Sequence, residues 1–159
     1  MFKDGAINGV EIRPFKKKVD ERGWLMELFR QDELSVEIFP VMSYISMTKP
    51  GIIRGPHEHK NQTDLFCFIG PSNFKIVLWD NRETSPTYRN KTILLAGEDN
   101  PSTVIVPEGV VHAYKNVGDK DGIAINCPNS LFMGQGKKAP VDEIRYENNM
   151  NSPFKIEHL

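Results

Sequence analysis

Between Val41 and Asn126 the chain is a run of short β-rich segments cut by turn residues, with no stretch of helical period long enough to make a structural layer. Val41–Met47, Leu65–Ile69, Phe74–Trp79, Lys91–Leu95, Thr103–Val106, His112–Asn116 and Gly122–Asn126 are β-branched, aromatic or alternating. Pro50-Gly51, Gly70-Pro71, Gly97, Pro107-Glu108-Gly109 and Gly118 separate them. Only Asp32–Glu37 and the region around Asp142–Glu147 suggest short helical turns. Sheets without helices to cover them must bury their faces on one another, which predicts an all-β sandwich or barrel. At 159 residues the simplest organisation is one domain over 1–159 with one core. The tail from about residue 148 is polar and is expected to pack loosely, with Phe154 and Ile156 as its available anchors.

Of the four histidines, His57, His59 and His112 fall in two short motifs. The first is Gly51-Ile52-Ile53-Arg54-Gly55-Pro56-His57-Glu58-His59, followed by Asp64. The second is Pro107-Glu108-Gly109-Val110-Val111-His112, followed by Asn116. Side chains alternate across a strand, so a His-x-His pair sends both rings to one face. If the intervening strands fold back, His112 joins them. Such a cluster either moves a proton or holds a metal. As a proton site, His57 is the base, with a pKa naturally near working pH, and His59 or Tyr44 assists. Tyr44 shares a strand face with Met42 and Ser46, a face that can point inward. A diphosphate suits the planar guanidinium groups of Arg54 and Arg22.

Composition excludes several partners. The formal net charge is −1, so nothing draws the chain to nucleic acid. No apolar run has the length of a membrane span. The N-terminus, Met-Phe-Lys-Asp-Gly, lacks the apolar stretch of a signal peptide. Cys67 and Cys127 sit in apolar surroundings and are expected to be free buried thiols, which makes the cytoplasm the expected compartment.

The two His motifs resemble the two signatures of the cupin superfamily, which implies a cupin-type jelly-roll β-barrel. By that resemblance His57, His59, Asp64 and His112 are the ligand set of one divalent transition metal, the alternative to a metal-free site. Over most of its length the chain resembles the dTDP-4-dehydrorhamnose 3,5-epimerase family. The likeness rests on Asp20-Glu21-Arg22-Gly23-Trp24-Leu25-Met26-Glu27, on Gly51 to His57, on Ser85-Pro86-Thr87-Tyr88 and on Pro107 to Tyr114. It implies a homodimer acting on a dTDP-4-keto-6-deoxyhexose, with no cofactor, His57 as base and Arg22, Glu27, Arg54, His112 and Tyr114 against the substrate. The family also uses an Asp that orients the base, a Lys that stabilises the enolate and a Tyr acid. Aligned by eye, these fall near Asn148 beside Glu147, at or beside Asp64, and near Ile125 and Asn126. Arg54-Gly55-Pro56-His57-Glu58-His59-Lys60, with Tyr44 upstream, is also similar to the dTDP-sugar 3,4-ketoisomerases, which pair His and Tyr without a metal. The missing Lys and Tyr leave open a sugar-nucleotide binder without catalysis.

Overall fold

A computed structural model describes residues 1–156. The described residues fold into thirteen strands and three short 3₁₀ turns. In chain order the strands are β1 (Lys3–Asp4), β2 (Glu11–Pro14), β3 (Lys18–Asp20), β4 (Gly23–Leu25), β5 (Tyr44–Thr48), β6 (Ile53–Glu58) and β7 (Asp64–Gly70). They continue with β8 (Asn73–Asp80), β9 (Asn90–Gly97), β10 (Ser102–Val106), β11 (Val110–Asn116), β12 (Gly122–Asn126) and β13 (Ile144–Arg145). One sheet runs β1-β9-β8-β11-β6-β13, the other β2-β10-β7-β12-β5, while β3 and β4 form a separate hairpin. All pairings are antiparallel except β1 with β9. This is the all-β architecture expected from the spacing of the turns, in the jelly-roll form that the family resemblance implies.

The period-2 alternation of side chains explains why β7, β8 and β11 read as nearly unbroken apolar runs. Phe66, Phe68, Phe74, Ile76, Leu78, Val104, Val110 and Tyr114 point between the sheets and form the main core. The intervening residues are buried too. Leu65 and Cys67 lie under Phe15, Leu28, Leu34 and Ile38 on one outer face. Val77, Trp79, Val111 and Ala113 lie under Phe154, Phe2, Tyr146 and Ile156 on the other. Both cysteines are free and buried. No helix among the described residues is long and apolar enough to cross a membrane.

Two expectations change. Asp142–Glu147 is not a helical turn: Ile144 and Arg145 form β13 and pair with Glu58 and His57 of β6. The amide of Tyr146 extends that edge by donating to the Pro56 carbonyl. Glu143, Arg145 and Glu147 alternate as strand residues do, and an open edge on β6 overrides weak helical propensity. The tail is anchored as well as polar. Phe154 is buried at 5% exposure, with its ring 5.8 Å from Trp79 and 4.7 Å from Tyr146, so aromatic burial holds it where its polar neighbours cannot. Residues 157–159 lie outside the described part of the chain. Asp32–Glu37 does turn, as 3₁₀ turns at Gln31–Glu33 and Val36–Ile38.

The loop after β8 is built on one buried carboxylate. Asp80 is fully buried and accepts from Arg82 Nε at 2.8 Å, Ser85 Oγ at 2.6 Å and Thr87 Oγ1 at 2.6 Å. Burial opposes the charge, but these donors outweigh it and hold the carboxyl down at about 2. A pKa depressed in the fold contributes stability above the unfolded value near 4, and that contribution fades as pH falls towards 2. Asp80→Ala is therefore expected to cost roughly 2–4 kcal/mol in urea unfolding at pH 7, with a smaller difference at pH 3. Equal losses at both pH values would show that the charge of Asp80 is not what the loop uses.

Candidate active site

Strand β6 carries the first motif across the barrel mouth. It pairs with β11 on one side, with His57 opposite His112 and Arg54 opposite Tyr114. Gly55 permits this close crossing: its φ is +80°, and a Cβ there would lie 2.5 Å from the His112 carbonyl oxygen and 3.1 Å from His57 Nδ1. The two motifs thus converge. Ring centroids are 4.3 Å apart for His57 and His112, 5.7 Å for His57 and His59, and 5.8 Å for His59 and His112. One ligand atom from each ring lies within 4.8 Å of the others.

Asp64, at the start of β7, lies beneath the rings at 1% exposure. Its Oδ1 accepts from Gln62 Nε2 and Asn126 Nδ2, both at 2.8 Å. Its Oδ2 is 3.3 Å from the Nε2 of both His59 and His112, in a geometry that makes a hydrogen bond with neither. The attraction there is one of charge. His59 Nδ1 donates to the Asp142 carbonyl, and Gln62 Nε2 lies 3.3 Å from His59 Nε2. His112 Nδ1 donates to the Val110 carbonyl at 3.1 Å.

The electrostatics separate the three rings. Burial disfavours a proton on His59, but contact with Asp64 and the Asp142 carbonyl outweigh it and hold its pKa up at about 9. His57 goes the other way: burial first, then the nearby His112 and His59 rings, push it down to about 2. Burial also lowers His112. Burial raises Asp64, yet the His59 contact, His112 and Asn126 prevail and bring it down to about 2. His57 is thus neutral at physiological pH, beside a carboxylate and a cationic ring.

The segment around β13 supplies carboxylates that the motifs did not reveal. Glu143 Oε1 is 3.7 Å from His57 Nε2, and Glu147 Oε1 is 3.9 Å from His57 Nδ1. Arg145 pairs with Glu143 at 2.7 Å. The segment is clamped from behind, where Tyr146 donates to the buried Glu58 at 2.5 Å and Glu58 also accepts from Asn81. The Asp142 carboxylate accepts from the amides of Lys60 and Asn61. The alternation Glu143-x-Arg145-x-Glu147 was the available signal for this strand.

The other candidates divide by position. Tyr44 belongs to the site: its hydroxyl accepts from Asn126 Nδ2 at 3.0 Å, the amide that also donates to Asp64. Burial of the hydroxyl end, moderated by Asn126, raises its pKa to about 12. Arg54 pairs with no carboxylate among the described residues and donates instead to Thr48 Oγ1 at 2.9 Å and the Met47 carbonyl at 2.7 Å. His112 and Tyr114 form the floor rather than the rim, at 3% and 5% exposure, and the Tyr114 hydroxyl lies 3.1 Å from Ser46 Oγ. Arg22 and Glu27 lie apart from the cluster. The β3–β4 hairpin pairs only with itself; Arg22 at its turn donates to Asp20, and Glu27 just past it meets Arg30 and Lys18.

Comparison with known proteins places this arrangement. The sequence model of the dTDP-4-dehydrorhamnose 3,5-epimerase family matches residues 4–138. The chain is 38% identical over 128 residues to the probable low-salt glycan biosynthesis epimerase Agl13 of Haloferax volcanii, covering 79% of this chain and 81% of that protein. It is 38% identical over 152 residues to the spore coat polysaccharide biosynthesis protein SpsL of Bacillus subtilis, covering 94% and 99%. The crystal structure of a dTDP sugar isomerase from Desulfovibrio desulfuricans superposes with a TM-score of 0.79 at 23% identity, covering 94% of this chain and 91% of that one, and so shares the fold. The chain belongs to the dTDP-4-dehydrorhamnose 3,5-epimerase family.

Proposed function

We propose that this protein is a sugar-nucleotide epimerase or isomerase acting on a dTDP-4-keto-6-deoxyhexose, with His57 taking the proton from a carbon beside the ketone. The observation that carries this reading is the setting of His57: a neutral imidazole, largely buried, with a carboxylate within 4 Å of each ring nitrogen. A neutral ring can accept a proton at physiological pH. Its depressed pKa makes the resulting imidazolium costly, so the ring needs partners that favour the charge as it forms. Glu143 and Glu147 are suited to that role. Glu147 also lies next to the position where the family's orienting Asp falls by eye.

Tyr44 is the proposed acid. Its hydroxyl stays protonated across the physiological range and is aimed by Asn126. His59 assists from beside Asp64. Arg54, with no acidic partner among the described residues and fixed by β5, is the proposed grip on the diphosphate. Arg22 and Glu27 fit a role in a homodimer. Their hairpin exposes Val19, Trp24 and Leu25, apolar side chains that a second subunit would cover. A cytoplasmic setting suits the two free thiols.

Solvent deuterium is expected to enter a dTDP-4-keto-6-deoxyhexose beside the ketone, as followed by NMR or mass spectrometry, and His57→Ala should abolish the exchange. Product analysis distinguishes epimer from ketoisomer. Binding of the nucleotide sugar with no exchange would leave a non-catalytic binder and overturn the reading. Glu143→Gln and Glu147→Gln should each lower kcat by roughly 10- to 100-fold with little change in KM, and their double variant should lose more. Wild-type turnover in the double variant would remove both carboxylates from the mechanism.

A further inference from the structure

The segment around β13 meets β6 on both faces of the sheet. His57 and Glu58 are consecutive on β6, so their side chains leave on opposite faces. Arg145 lies opposite His57, and Ile144 opposite Glu58. On the barrel-mouth face, Glu143 and Glu147 approach His57. On the outer face, Tyr146 donates to Glu58 Oε1 at 2.5 Å, and Asn81 Nδ2 donates to the same oxygen at 3.0 Å. Stability alone does not call for a carboxylate at Glu58. The residue is buried, both its donors are neutral, and it forms no ion pair among the described residues. Its burial gives up water for neutral donors, a cost that an apolar side chain avoids. What it supplies is a hydrogen bond that is satisfied in one geometry only, whereas apolar contacts tolerate sliding.

Fine placement is what His57 needs. Its Nδ1 is buried and has no hydrogen-bond partner. Glu147 Oε1 stands 3.9 Å from that nitrogen, and Glu143 Oε1 stands 3.7 Å from Nε2. Both lie just beyond hydrogen-bond reach, so a shift of less than an ångström in the segment decides whether either bond forms. The strand pairing that carries the segment is only two residues long. Asp142 anchors the end beside Glu143 through the amides of Lys60 and Asn61. Tyr146 anchors the other end and directly precedes Glu147, so its bond to Glu58 governs how far Glu147 reaches towards the ring.

We propose that Glu58 and Tyr146 are positioning residues for the base: the hydrogen bond between them, braced by Asn81, sets the segment that presents Glu143 and Glu147 to His57. Both act from the outer face of the sheet through the two carboxylates. The placement of the carboxylates stands on this geometry alone; its catalytic consequence rests on the function proposed above.

The test uses Tyr146→Phe in the whole protein, which keeps the ring 4.7 Å from Phe154 and removes only the hydroxyl. Turnover of a dTDP-4-keto-6-deoxyhexose should lose roughly 10- to 100-fold in kcat, with KM changed by less than about twofold. In the Glu143→Gln/Glu147→Gln background the same substitution should cost less than about twofold, because nothing is left for it to position. Glu58→Gln, which keeps an oxygen for the Tyr146 hydroxyl, should retain more activity than Glu58→Ala. Losses that simply multiply in the combined variant would assign Tyr146 to stability alone and overturn the inference. A second measurement needs no substrate. The ring ¹⁵N signals of His57, identified by their absence in His57→Ala, should move in Tyr146→Phe in the same direction as in the Glu143→Gln/Glu147→Gln variant. Should Tyr146→Phe not fold, Asn81→Ala, which frees Glu58 from its brace, carries both readouts. Unmoved His57 signals overturn the inference even in an inactive protein. Moved signals with no exchange on any 4-keto nucleotide sugar uphold the placement and overturn the proposed function instead.

Discussion

The carboxylate of Asp64 is the charge around which the site is organised. A buried carboxylate is tolerated only if its neighbours replace the water it has lost. Here the replacement is divided by oxygen. Gln62 and Asn126 satisfy Oδ1 with neutral amides, while Oδ2 faces imidazoles from two different motifs. That division fixes much else. Asn126 can hold Asp64 and Tyr44 together only because β12 lies between β7 and β5. His59 carries a raised pKa because of the same carboxylate, and its charge helps to depress that of His57. Asp64 thus holds His59 up, while burial first and the neighbouring rings next hold His57 down.

The second constraint is the segment around β13. Its strand pairing with β6 is only two residues long, too little to hold it by backbone hydrogen bonds alone. Side chains help from both directions: Tyr146 donates to the buried Glu58, the Asp142 carboxylate accepts from two amides, and the His59 ring donates to the Asp142 backbone carbonyl. The aromatic group of Phe154, Trp79 and Tyr146 adds an apolar anchor behind it. The packing of the outer sheet face therefore bears directly on the site, because the same short segment delivers Glu143 and Glu147 to His57.

The barrel was legible from turn spacing and period-2 apolar runs, because strands buried on both faces leave a strong local signal. Strands β7 to β12 were legible to within a residue or two at most ends. The weaker strands were not. β2, β3, β4 and β13 are mostly exposed, and only a partner supplies the free energy that makes them strands. The convergence of His57, His59 and His112 followed from motif spacing and strand geometry. The partners of those rings did not, because Glu143 lies 86 residues from His57 and the Val110 carbonyl has no side-chain signature. The expected helical turn at Asp142–Glu147 shows the reason clearly: the residues permit either state, and a vacant edge 86 to 88 residues earlier decides it.

Arg22 and Glu27 pose the same problem at the next level of organisation. Each has local ionic partners on or near the hairpin, and those pairs are solvent-exposed, so they contribute little to stability. The same hairpin exposes Val19, Trp24 and Leu25, with Lys17 lying over the Trp24 ring. A two-stranded ribbon that buries no apolar face within its own subunit is marginal by itself. Its side chains are therefore better explained by something outside the subunit. A homodimer meets both needs, because covering the apolar side of the hairpin would order the element that carries Arg22. In the proposed homodimer the substrate grip that the family resemblance assigns to this segment would be completed by assembly, whereas the residues proposed for proton transfer around His57 all lie within one chain.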